Sequence, residues 1–165
     1  MLNKLKKTSN KGFTIIEVMI VLAIAGMIIL VVLLAVPAVQ RSGRNSAIKT
    51  DAGAVAAGIS EFSTNNNGAV PTGIADNGSG VVNLTGAAGT TPTTAKVQGA
   101  TKVSSIPTGT PAPTATTFTS AGEIQVWIGH SCPGAGTTST TSTRANAIFY
   151  NTEGSSGPQL QCQDS

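Results

Sequence analysis

Residues 13–36 read FTIIEVMIVLAIAGMIILVVLLAV, and this stretch decides the fold class. From Val18 to Val36 it holds 19 successive residues without a charge. At about 1.5 Å per residue, some 20 apolar residues cross a hydrocarbon core of about 30 Å. A secretory h-region is shorter, and no small-residue A-x-A pattern closes this one. The expectation is a membrane-spanning helix.

The flanks of that run set its orientation. Residues 1–12 (MLNKLKKTSNKG) carry Lys4, Lys6, Lys7 and Lys11 and no acid, and read as a cytoplasmic n-region. Arg41, Arg44 and Lys49 follow the span, so the basic count alone favours an inside N-terminus only narrowly. The distal part is rich in Thr and Ser, holds both cysteines and has few lysines, and it reads as exported.

The overall figures agree once they are divided by region. The 165 residues are 40% hydrophobic, 10% charged and 4% aromatic, with a net charge of +3. The mean hydropathy of +0.17 hides an uneven distribution. Without residues 1–12 the charge balance is −1, so the pI near 9.1 describes the basic tail. The remaining bases form no dense stripe of the kind that marks a nucleic-acid-binding domain. DNA binding is left undetermined, because a basic patch could still form across subunits. The composition argues against a cytosolic enzyme and against a disordered polar chain.

The helical pattern continues past Pro37. Apolar residues recur at Ile48, Ala52, Val55, Ile59 and Phe62, in steps of three and four that mark one helix face. Gly43, Gly53 and Gly58 each lower helix propensity by up to ~1 kcal/mol, so this stripe must be held by packing. The reading is one helix from about 14 to 62, with a bend at Pro37, stopped by the turn formers of residues 63–68 (STNNNG).

Beyond the helix, Glu123–Ile128 alternates with Ile124, Val126 and Ile128 on one face and reads as a strand. Asn146–Asn151 is a second strand, and Lys96–Ile106 a third. The stretches 106–113 and 133–143, rich in Pro, Thr and Gly, read as surface loops. Three strands alone bury too little, and the apolar stripe of residues 48–62 is their obvious partner.

Lys11-Gly12-Phe13-Thr14-Ile15-Ile16-Glu17, followed at once by the apolar run, resembles the prepilin signal of bacterial type IV pilins and type II secretion pseudopilins. The likeness covers the basic leader, the Gly, the Phe, the Glu five positions after the Gly, and the span. It extends over residues 1–62 in layout. The resemblance implies cleavage between Gly12 and Phe13 by a prepilin peptidase, followed by N-methylation of Phe13. Gly12 suits such a cut because it offers no side chain to obstruct a close backbone approach.

The resemblance also implies that Glu17 governs subunit assembly. A carboxylate inside hydrocarbon costs at least ~2.5–3.5 kcal/mol. Cleavage would free a cationic amine four residues away, about one helical turn. An incoming subunit's Phe13 ammonium would then seek an unpaired Glu17 in the filament. The alternative is an interfacial glutamate snorkelling to the inner membrane surface. By the same resemblance, Gly26 and Pro37 are limits between which the helix loses order in the fibre; the plainer reading of Pro37 is a kink at the outer membrane boundary.

Cys132 and Cys162 are the only cysteines, and two in an exported region suggest one disulfide. Closing that loop would be worth roughly 3–4 kcal/mol in the chain-entropy treatment. It resembles the disulfide-bounded C-terminal loop of many pilins.

No catalytic constellation emerges. His130, Ser131 and Cys132 are consecutive, and neighbours on an extended segment point to opposite faces. His130 reads as a loop residue and Trp127 as a packing residue. The glycines at 78, 80, 134 and 136 lack the Lys-Ser/Thr of a phosphate cradle. The acids are scattered singly, so no cofactor or metal site is expected and the chain does not read as an enzyme.

The sequence therefore predicts an α+β, pilin-like chain with a long N-terminal transmembrane helix packed on a small antiparallel sheet. Its parts are a cleaved leader (1–12), a filament-core half-helix (13–37), an amphipathic half-helix (38–62) and a β-rich head (63–165). The resemblance implies a homo-oligomeric filament, with prepilin peptidase, an inner-membrane assembly platform and minor pilins as partners. The precursor would be single-pass in the inner membrane with its N-terminus inside, and the assembled subunit extracellular. Such filaments serve twitching motility, adhesion, DNA uptake and secretion. The alternatives are a pseudopilin of a secretion or DNA-uptake machine, a signal-anchored surface binding protein that never polymerises, and an exported hydrolase.

Overall fold

The structure is a computed structural model that describes residues 12–106, 118, 122–133 and 140–165. The basic leader up to Lys11 and most of the two expected loops, residues 107–113 and 134–139, lie outside the described residues. The chain divides into two compact units, 1–40 and 41–165.

One helix, α1 (Ile15–Asn65), runs through both units, with Pro37 inside it. In the first unit its apolar side chains are exposed on all sides, as suits a helix whose solvent is lipid or other helices. In the second unit only the stripe Ile48, Ala52, Val55, Ile59 and Phe62 is buried, joined by Ala56 and Gly58.

The helix stops three residues past the expected end. Asn67 adopts a left-handed φ of 54° and Gly68 one of 84°, and the Gly68 N–H returns to the Ser63 carbonyl at 2.7 Å. Asn66 fastens this end to Thr91, outside the helix. Its Nδ2 donates to the Phe62 and Thr91 carbonyls, and its Oδ1 accepts the Thr91 N–H at 2.7 Å.

The second unit carries a seven-stranded sheet among the described residues. The strands are β1 (Gly73–Asp76), β2 (Val81–Thr85), β3 (Thr93–Lys96), β4 (Lys102–Ile106), β5 (Glu123–Ser131), β6 (Thr140–Gly154) and β7 (Gly157–Asp164). Their order is β3-β2-β1-β4-β5-β6-β7. The pairing is antiparallel apart from β4 and β5, which run parallel.

The expected strand Lys96–Ile106 is two strands, not one. Lys96 ends β3, and the chain turns through Gly99 and Ala100 before β4 begins. Asp51, buried on α1, holds that turn by accepting the Gln98 N–H and the Thr101 hydroxyl. His130 is also not a loop residue. It lies in β5 past a bulge at Ile128/His130, where Gly129 takes a φ of 73°, and it is buried.

Buried apolar side chains stand on both faces of the sheet. One face sends Ile74, Val82, Leu84, Val103, Val126 and Ile148 against the α1 stripe. The other carries Trp127, Ala147 and Phe149 with Phe118, bordered by Cys132 and Cys162. Trp127 is 2% exposed and meets Phe149 edge-on, with ring centroids 5.8 Å apart, so it packs as expected.

Candidate functional site

The N-terminal end of α1 is built by local chemistry. Thr14 precedes the first helical residue and caps it: the Glu17 N–H donates to Thr14 Oγ1 at 3.3 Å, and the Glu17 and Val18 N–H groups both reach the Thr14 carbonyl. Thr14 and Glu17 therefore stand in the S/T-x-x-E spacing of a capping box, a signal worth about 1 kcal/mol that reading the run for hydropathy alone passes over.

That cap leaves Gly12 and Phe13 outside the helix. Both are exposed, Phe13 by 83%, and no atom lies within 4 Å of where a Gly12 Cβ would stand. The peptide bond between them thus lies on non-helical backbone.

Glu17 is the one acid among the first 50 residues and sits in the first turn of α1. That position complements the positive end of the helix dipole, worth about 0.3–1 kcal/mol. Phe13, Glu17, Val18, Val21 and Leu22 line an open, largely apolar groove. A carboxylate in an apolar surface can accept a cation there, and a free amine at residue 13 would supply one.

The other sequence-derived residues lie apart from this end. Gly26 is within α1 with nothing within 4 Å of a would-be Cβ. Pro37 lies inside the same helix without ending it. Cys132, just past β5, is joined to Cys162 in β7 by a disulfide, with the Cα atoms 5.7 Å apart. It lies beside Phe149 and Trp127, on the sheet face away from α1.

A second polar constellation went unread in the sequence. Arg44 Nε and Nη2 donate to the two carboxylate oxygens of Glu153 at 2.7 and 2.8 Å. Asn45 Nδ2 donates to the Glu153 carbonyl at 2.9 Å, and the Glu153 N–H donates to Asn45 Oδ1 at 2.7 Å. The Arg44 hydrogen bond holds the Glu153 carboxyl below its ordinary value of 4.5, and the charges of Arg44 and Arg41 add to this. No local pattern announces a contact between residues 109 apart.

Among the described residues no group of three or more His, Cys, Asp or Glu side chains could hold a metal ion. No curated protein and no solved structure matches the chain. Residues 7–33 match the prokaryotic N-terminal methylation motif, which places Lys7 to Leu33, with Gly12, Phe13 and Glu17 among them, within the type IV pilin and pseudopilin signal.

Proposed function

We propose that this chain is the precursor of a structural subunit of a type IV pilus-like filament. Prepilin peptidase cuts it between Gly12 and Phe13 and methylates the new amine of Phe13. The retained apolar helix then packs into a filament core, Glu17 pairs with the N-terminal ammonium of a neighbouring subunit, and the heads face outward. Before assembly the subunit sits in the inner membrane with its N-terminus inside. An assembly platform there feeds it into a surface filament of like subunits.

The observation that carries this reading is the methylation motif over residues 7–33, on a helix whose apolar side chains are exposed all round. Such a surface must be buried by lipid or by other helices, at roughly 1.5–3 kcal/mol per large side chain. In a polymerising subunit the first-turn acid also gives a freed N-terminal ammonium a charge partner, beside its part at the helix start. The test is mass spectrometry of the chain expressed with a prepilin peptidase. The mature protein is expected to begin at Phe13 and to carry one added methyl group. A chain retaining Met1, or beginning elsewhere, contradicts the proposal and favours the non-polymerising anchor.

A further inference from the structure

We propose that α1 contains a weak joint over residues 38–43, ended on its C-terminal side by a latch that Arg44 and Asn45 form on Glu153. The inference is independent of processing and assembly. Three observations converge on the joint. All of residues 38–43 are exposed, so no tertiary packing supports the helix there, whereas Ile48 onward is buried. Ser42 and Gly43 are poor helix formers, and the bond that Pro37 cannot make to the Leu33 carbonyl leaves the turn just before the stretch without its full ladder. The division into compact units also falls inside it, between Gln40 and Arg41.

The latch follows from how β6 ends. Ile124 of β5 pairs with Tyr150 and is the first residue of the β5–β6 ladder, so Glu153 lies beyond the reach of β5. Its backbone N–H and C=O alternate with those that bond on the β7 side, as Asn146 does with Ser165, and so point away from Pro158 toward the space past the end of β5. Asn45 takes the vacant place in the ladder: its carboxamide accepts the Glu153 N–H and donates to the Glu153 carbonyl, as a strand's peptide group would. Arg44 grips the carboxylate of the same residue through two nitrogens. Four directional bonds thus hold one turn of α1, just where burial has not yet begun. Fraying of residues 38–43 therefore stops at Arg44.

Hydrogen exchange on the full-length chain in lipid nanodiscs tests this. In the wild type, amides 39–43 are expected to exchange faster than both the span before Pro37 and residues 48–62. Asn45→Ala should speed exchange of amides 44–47 about tenfold, roughly the effect of losing a pair of hydrogen bonds, and Glu153→Gln, which loses one Arg44 bond and the charge, should speed it about threefold, with β5 still protected. Alanine is a better helix former than asparagine. Local propensity alone would therefore slow exchange in Asn45→Ala, and unchanged or slower exchange at 44–47 overturns the latch. Amides 39–43 as protected as 48–62 overturn the joint. Should Asn45→Ala also deprotect β5, Glu153→Gln decides, because it leaves the backbone bonds to Asn45 in place; no change at 44–47 in that variant again overturns the latch.

Discussion

Gly53 and Gly58 look alike in the sequence, two glycines in a helix, yet the structure gives them opposite roles. A Cβ on Gly58 would stand 2.9 Å from the Ala95 Cβ and 3.4 Å from Leu84 Cδ1, so the missing side chain lets α1 approach β3. Gly53 has nothing within 4 Å. Gly58→Val is therefore expected to destabilise the head by about 1–3 kcal/mol through overpacking. Gly53→Ala should stabilise it by up to about 1 kcal/mol through helix propensity. Urea unfolding followed by the single tryptophan, buried Trp127, reads both. Shifts of the same sign would contradict this account of the helix–sheet contact. Thr14 makes a similar point. Its role as a cap is written in the T-x-x-E spacing, but it becomes evident only when the helix boundary is fixed between residues 14 and 15.

At the scale of elements, strong periodicity was legible and weak strands were not. The stripe at 48, 52, 55, 59 and 62 was readable because each position is apolar and each turned out buried. Strands β5 and β6 were readable because they are rich in β-branched and aromatic residues. Strand β3 is Thr-Thr-Ala-Lys, and β7 carries Pro158 and three glutamines, so neither has the composition of a strand. They form because β2 and β6 offer them backbone partners, which is tertiary information. The contact of α1 with the end of β6 is of the same kind, and it carries a pH dependence. The folded-state pKa of Glu153 is lowered by its hydrogen bond to Arg44, with the charges of Arg44 and Arg41 on the same helix acting in the same sense. Its contribution is accordingly complete above the ordinary value of 4.5 and is lost as pH falls through the lower folded value. The stability difference between wild type and Glu153→Gln should be constant near neutral pH and should close below pH 4.5; a difference that persists unchanged into strong acid would contradict the ion pair.

On the scale of the whole molecule, the two units differ in what they bury. Residues 41–165 bury one sheet face against part of α1 and the other around Trp127 and Phe149, and are fastened by the Cys132–Cys162 disulfide. Residues 12–40 bury almost nothing. The methylation motif and the long apolar helix were legible because both depend on contiguous residues. The head's topology, with one parallel pair in an antiparallel sheet, was not, because pairing of distant strands leaves no local mark. The proposed assembly chemistry rests on Glu17 meeting a neighbour's freed amine. The most direct measurement is the fate of Glu17→Ala in cells that carry the peptidase and the assembly machinery, followed by the mass of the processed chain and by its presence in sheared surface filaments. The account predicts normal cleavage at Phe13 with incorporation into filaments lost. Filaments of normal abundance built from the variant would contradict it.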